Sequence, residues 1–466
     1  MRLHAIFSKR VAAGCLQRKT IVRPQGGQCH KYFTSSAVGD SAPHLPFSFS
    51  NLGLKKNFIL PTLNSIRQLP EVENALVRLP SSASVDELSR AVQVFDSING
   101  AHSERLAVRA LLAEHEQYLA HYDKALDMLK SVGELIESPH SSHTPSQQLK
   151  YSSEDVALAQ AKVLWFKGEF DDALEICESM IQQYNDFEES FPATNLHMAS
   201  AMSGKALCQL ASMDSMDDAY SVRDYFRITI KFLQRHPSTS GFPEAVALHN
   251  CGVAEAVYAG FLEENNDVTV PLNAALKSWF QGLQRLEGTS RIGSSVVSEL
   301  LKAKIQANLA WGVLNFERDQ PDYLSKASEY AGKSLAIYDK LKAELGDSVR
   351  VDHHRVGLTR TLAVLASYFY HMDNAITSEG LYQSALDKVD TRVADTFSLL
   401  EVKDAYNGYA ELCSNWDKRQ SDARRLEEGC QRADDLLPGR WKGKSVNYSS
   451  LWFWTPGDVD GQDETF

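Results

Sequence analysis

The stretch 151–184, YSSEDVALAQAKVLWFKGEFDDALEICESMIQQY, constrains the fold more than any other part of the chain. Ala157, Ala161, Leu164 and Trp165 recur at the three-and-four spacing of a helix face. After Lys167-Gly168 the spacing returns in Phe170, Ala173, Leu174, Cys177, Met180 and Ile181. Two amphipathic helices joined at one glycine predict a helical hairpin. Such a hairpin cannot bury its apolar faces by itself, so the chain must stack it against others of its kind.

Within this hairpin Ala161, Leu164, Gly168, Phe170 and Ala173 follow the order small, large apolar, Gly, aromatic, Ala, which resembles a tetratricopeptide repeat. Related patterns run through the chain. The first hairpin carries Leu112, Ala113, Ala120, Tyr122 and Ala125, with Ala120 where the turn glycine belongs. The third, from about Thr194, has no glycine in its turn at 212–217, and the fourth shows Leu248, Asn250, Gly252, Val253 and Ala256, then Ala275, Trp279 and Gly282. The fifth offers 307–311 followed by Ala327, Ala331 and Leu335, and the sixth, 361–389, contains GLYQSAL, similar to the second helix of a kinesin-light-chain repeat. The seventh ends on Leu426, Cys430, Ala433 and Pro438. Equivalent positions from Ala125 to Leu426 lie on average about 50 residues apart, against about 34 in the family, so helices or loops here are longer. The resemblance implies an all-α fold: a right-handed α-solenoid of about seven helical hairpins, with an extended N-terminal leader and an aromatic and acidic C-terminal tail.

The expected organisation is a targeting segment at 1–33, an extended linker at 34–83 punctuated by prolines, the solenoid at 84–440 and the tail at 441–466. Ser84-Val85-Asp86-Glu87 reads as a capping box that starts the ordered part. Residues 1–33 hold seven basic side chains and no acid, with Leu3, Phe7, Val11 and Cys15 at helical spacing, the composition of a mitochondrial presequence. Lys31-Tyr32-Phe33-Thr34-Ser35-Ser36 places a cleavage site near Phe33. Lys9-Arg10 interrupts the only apolar run that a secretory signal could use. In the tail, Leu451, Trp452, Phe453 and Trp454 admit two readings: a cover folded back over the final helix pair, or an exposed anchor for a partner, since Trp is enriched at interface hot spots.

Without the first 33 residues, 41 Lys and Arg face 60 Asp and Glu, a formal charge of about −19. An acidic body opposes nucleic-acid binding, which needs cationic surface to displace phosphate counterions. No run approaches the ~18 apolar residues of a membrane span. The body cysteines, Cys177, Cys208, Cys251, Cys413 and Cys430, are scattered and mostly at apolar helix positions, the pattern of small core residues in a reducing compartment. No phosphate loop, dinucleotide fingerprint, nucleophile elbow or HExxH occurs. His353-His354 after Asp352, and His140 with His143, lack further ligands at supporting spacing and read as solvated segments. The acid pairs Asp171-Asp172, Asp217-Asp218 and Asp434-Asp435 read as helix starts or exposed faces. The aromatic residues Tyr118, Trp165, Phe226, Trp279, Trp311 and Phe369 follow core positions.

No catalytic residue, cofactor site or metal site is therefore expected, and the function read from the sequence is protein binding. The first helices, roughly 107–119, 157–166, 245–258 and 305–316, are expected to line a concave groove. Lys304, Asn250 and Asn308 on them are the only members suggestive of the set with which chaperone-binding tetratricopeptide domains clasp a carboxyl terminus, and they equally suit a polar inner face. Together with Leu451, Trp452, Phe453 and Trp454 they form the candidate partner-binding residues. The partners expected are other proteins, subunits of a larger complex on the matrix side of the mitochondrial inner membrane, with the chain as accessory subunit or assembly factor. The alternative is an organellar RNA-processing or translation factor reading RNA along a helical-repeat groove.

Overall fold

In the computed structural model the described residues are 85–97, 102–137, 153–185, 192–213, 216–235, 241–262, 268–289, 296–316, 321–345, 349–389, 391, 394–416 and 418–456. The chain divides into two units, Met1–Ser48 and Phe49–Phe466, and every described residue belongs to the second. The targeting segment, the linker, Ser84, His140 with His143, and the tail beyond 456 lie outside the described residues.

Fifteen helices follow one another among the described residues. A first helix α1 (Val85–Ser97) precedes seven hairpins: α2 (His102–Tyr118) with α3 (Tyr122–Glu137), α4 (Ser153–Lys167) with α5 (Phe170–Asn185), α6 (Pro192–Ser212) with α7 (Met216–Arg235), α8 (Phe242–Phe261) with α9 (Thr269–Thr289), α10 (Val296–Phe316) with α11 (Pro321–Leu345), α12 (Val349–His371) with α13 (Ala375–Leu386), and α14 (Thr396–Ser414) with α15 (Gln420–Leu436). Each helix packs on the next, and from α4 onward the first helix of every hairpin also touches the first helix of the following one. First helices thus line one side of a right-handed α-solenoid, as a tetratricopeptide-like array requires. The long period comes from helices of up to 25 residues, as in α11. α12 starts at Val349, ahead of position 361 where the apolar pattern begins, so that Asp352, His353 and His354 fall within its opening turns.

The hairpin turns explain the glycine pattern. Gly168 has φ 84°, and its N–H donates to Trp165 O while the N–H of Glu169 donates to Leu164 O. This pair of bonds closes a helix on a left-handed residue. Ala120 (φ 58°) and Asp373 (φ 56°) occupy the same place in their hairpins with the same two bonds, to Gln117 and Glu116 in one case and to Tyr370 and Phe369 in the other. Backbone geometry is conserved between these three turns even where the residue is not glycine.

Buried Trp165, Phe226 and Trp279 confirm the core reading for three of the aromatic series, Trp311 and Phe369 are only half-buried, and the Tyr118 side chain lies outside the described ones. Cys177, Cys208, Cys251 and Cys413 are buried free thiols, and Cys430 is half-buried. The superhelix also returns upon itself: the start of α14 docks on the second hairpin and on α3. Tyr122 Oη donates to Thr396 Oγ1 at 2.9 Å, Thr396 Oγ1 donates to Phe166 O at 2.8 Å, and the Phe397 ring lies 5.3 Å from Trp165 and 5.0 Å from Phe166.

Candidate functional site: a groove holding the chain's own C-terminal strap

α8 is apolar almost throughout, and every residue from Pro243 to Ala259 is buried. A helix buried on all faces needs cover on every side. Neighbouring helices supply part of it, and the rest comes from residues 438–456, which follow α15 and turn into the solenoid. This strap comprises a 3-10 turn at Gly439–Trp441, another at Val446–Ser450, and an extended piece at 451–455.

Its first anchor is Trp441, which is fully buried and donates from Nε1 to Trp165 O at 2.9 Å. Trp165 and Phe170 meet it edge-on at 5.3 and 4.9 Å between centroids. The approach is close enough to exclude a side chain on the backbone: a Cβ on Gly168 would stand 2.9 Å from Arg440 N, and one on Gly439 (φ 51°) 2.8 Å from Lys167 O. The glycine of the second hairpin therefore serves both its turn and the strap.

Beyond Trp441 the strap runs against chain order, from α12 back to α6, and first helices grip its main chain. Arg360 on α12 donates to Val446 O at 3.4 Å and to Asn447 Oδ1 at 3.3 Å. Lys304 on α10 donates to Ser449 O at 3.3 Å, and Asn308 Oδ1 on the same helix accepts from Ser450 Oγ at 3.0 Å. On α8, His249 Nε2 donates to Ser450 O at 2.6 Å, and Asn250 holds Trp452 in both directions: Oδ1 accepts its N–H and Nδ2 donates to its C=O, each at 2.9 Å. Ser200 on α6 donates to Trp454 O at 2.8 Å. Tyr448, Leu451, Phe453 and Trp454 are buried, with Phe453 lying where a Cβ on Gly204 would come within 2.9 Å of its ring. Trp452 is half-buried, edge-on to Phe242 at 6.2 Å and with Lys304 Nζ 5.5 Å from its ring centroid.

All seven candidate partner-binding residues of the sequence thus meet in one place, and they meet one another. Asn250, Asn308 and Lys304 hold the segment that contains Leu451, Trp452, Phe453 and Trp454. The segment does fold back: residues 446–450 lie against α14 of the final pair, with Ser449 Oγ 3.5 Å from Glu401 Oε1, and 451–454 run on along the inner helices α8 and α6, where the uncovered apolar floor lies. Sequence reasoning missed His249, Ser200, Arg360, Glu401 and Trp441. The near-continuous hydrophobicity of α8, broken by few polar residues, was the available signal.

Acidic and basic side chains meet beneath the strap. Burial pushes the Glu401 carboxyl well above the usual range and pulls Lys304 down, while the charge of each opposes the other's shift. Arg360 is lowered by burial, and Asp395 is raised by burial against the bonds it accepts from Ser398 and Phe397 N–H as N-cap of α14. His249 is lowered to about 3 by burial, so its ring is neutral and carries its proton on Nε2, facing a carbonyl that can only accept. Asp434, read from sequence as solvated, is clasped by Lys403 and accepts Gly443 N–H at 3.0 Å, while Asp171 and Asp172 stand exposed in the first turn of α5. Among the described residues no group of three or more His, Cys, Asp or Glu could hold a metal ion, and no helix is long and apolar enough to cross a membrane.

Fold and groove together define a tetratricopeptide-like helical-repeat solenoid whose inner surface holds an extended peptide. No protein-family model and no curated protein matches the sequence. Among solved structures, the Rap conjugation gene regulator of the plasmid pLS20, solved with a peptide, aligns over 83% of this chain and 98% of its own at 12% identity and a TM-score of 0.48. Yeast Tom70 aligns over 79% and 88% at 11% identity and 0.21. The Naa15/Naa10 structure bound to HypK-THB aligns over 83% of this chain and 63% of its own, at 12% identity and 0.18.

Proposed function

We propose that the chain is a non-enzymatic protein–protein interaction scaffold of the mitochondrion, acting on the matrix side as an accessory subunit or assembly factor of a large inner-membrane complex, the respiratory complexes foremost. The observation that carries the scaffold reading is the groove itself, where side chains of successive first helices hold an extended polypeptide by its main-chain N–H and C=O groups. That is recognition chemistry, and it makes and breaks no bond. The address rests on the basic, acid-free composition of residues 1–33. An RNA-reading groove is disfavoured, since Lys304 and Arg360 share the floor with Glu401 and Asp395 and the surrounding body is acidic.

The test is a native pull-down of the tagged protein from isolated mitochondria at low and high salt, resolved on a blue-native gel with mass spectrometry. Stoichiometric recovery in one large complex at both salts is expected. Absence from mitochondria, or recovery chiefly of ribonucleoprotein, overturns the proposal.

A further inference from the structure

The strap's hold on the groove has a form that another chain could take over. Six of its bonds join groove side chains to main-chain atoms of residues 446–454, a contact blind to which polypeptide supplies the backbone. The strap also leaves the floor incompletely satisfied. Asn308 Nδ2, His249 Nδ1 and Arg360 Nε are buried beside it and make no hydrogen bond within the protein. Buried polar atoms are nearly always paired. Two of the three are donors, on Asn308 and Arg360, whose other polar atoms bond Ser450 and Asn447 of the strap.

We propose that the groove is a binding site for an extended segment of a partner protein, which residues 446–456 occupy in cis and which the partner's segment displaces. The proposal rests on the scaffold reading and names its partner class. The displacing segment carries large apolar and aromatic residues at the places of Leu451, Phe453 and Trp454. An aspartate or other acceptor stands at the place of Ser450: the Asn308 amide, whose Oδ1 accepts from Ser450 Oγ when the strap is bound, turns over so that Nδ2 donates to it, next to the carbonyl that Lys304 contacts. Trp441 remains seated, because Gly168 and Gly439 lock its turn backbone to backbone.

Tethering sets the threshold. A segment joined to its own site acts at an effective concentration of about millimolar, so a partner at micromolar levels must bind roughly a thousandfold more tightly than the strap's own sequence to prevail, or meet a chain whose strap has been released. Part of that advantage is available in the unmet donors.

The experiment releases the strap after folding. A site-specific protease sequence is inserted at Gly443, which is exposed, has φ 77° and would place a Cβ within 4 Å of nothing. The folded full-length protein is cut there and mixed with a fluorescein-labelled peptide of residues 444–456, and separately with the same peptide bearing Ser450→Asp. Saturable entry read by anisotropy is expected, with about tenfold weaker binding when the cut protein carries Asn250→Ala and about five- to tenfold tighter binding of the Ser450→Asp peptide. Uncut protein should bind neither peptide at micromolar concentration. Failure of the peptide to enter over days, loss of helical signal on cutting, or affinity indifferent to Asn250→Ala overturns the proposal, and weaker binding of the Ser450→Asp peptide overturns the acceptor assignment. If the peptide never enters while the pull-down still recovers a stoichiometric complex, the scaffold reading stands and the partner uses the outer helices. Entry without any recovered complex means the reverse.

Discussion

Ala120 sits at φ 58° with a methyl group that this backbone region tolerates poorly. Left-handed backbone costs an L-residue roughly 1–2 kcal/mol, and part of that returns as the larger unfolded-state entropy of glycine. Ala120→Gly is therefore expected to raise stability by about 0.5–1 kcal/mol, read as a higher urea midpoint at unchanged slope. The reverse change, Gly168→Ala, meets both the φ of 84° and the strap backbone at 2.9 Å, and is expected to lower stability by more than the gain at Ala120. His249 supplies a pH signature at the same scale. Its ring is held neutral with a folded value near 3, against an ordinary value of 6.5, chiefly by burial, with Lys304 and Arg360 pushing the same way and the Ser450 carbonyl opposing. Between those two values the unfolded chain binds the extra proton, so this stability is present above pH 6.5 and is lost as pH falls towards 3. The loss approaches about 1.4 kcal/mol per pH unit once the unfolded ring is mostly protonated. His249→Gln keeps a donor for the Ser450 carbonyl and has no proton to take up. Its unfolding free energy should fall less steeply between pH 6 and 4 than that of the parent, and an identical slope would remove His249 from the account.

At the level of elements, the seven hairpins could be read from the sequence because helix periodicity and the small-residue turns are local. Gly168-Glu169-Phe170 announces its turn, and Ala120 keeps the register even without the glycine. The strap was only half legible. Its residues were identifiable as an aromatic cluster, and Asn250, Asn308 and Lys304 as polar positions on first helices. Their pairing joins positions up to 202 residues apart, as with Asn250 and Trp452, and no periodicity within either segment encodes it. Magnitudes also explain why the strap holds without being welded in. Burying Tyr448, Leu451, Phe453 and Trp454 contributes about 15 kcal/mol at roughly 25 cal/mol per Å², and ordering residues 444–456 costs about as much at roughly 1–1.5 kcal/mol per residue. The balance rests on the main-chain bonds from the groove. Trp441 is different, being enclosed by Trp165, Phe170, Phe397 and Tyr448. Trp441→Ala is expected to cost about 3–5 kcal/mol, and Asn250→Ala about 1–3 kcal/mol, both measurable by chemical denaturation.

On the scale of the whole described body, strap and closure change what kind of object this solenoid is. A simple repeat array has only nearest-neighbour interfaces, and its hairpins can open from the ends in steps. Here the strap bonds first helices of the third to the sixth hairpins and buries Trp441 against the second, and Thr396 ties the seventh hairpin to α3 and α4. Opening any hairpin from the second to the sixth therefore breaks contacts made by a segment that also holds the others, which couples them into one cooperative unit. A chain ending after α15, at Leu437, loses that coupling while keeping every hairpin and every helix-to-helix interface. Its helical signal is expected to melt over a broad, multi-step range with fast amide exchange in α8 and α10, whose inner faces would be bared. The full chain should melt in one sharper transition with those same amides among the last to exchange. A truncated chain that melts as sharply as the full one would show that the hairpins couple through their own interfaces and that the strap is a passenger.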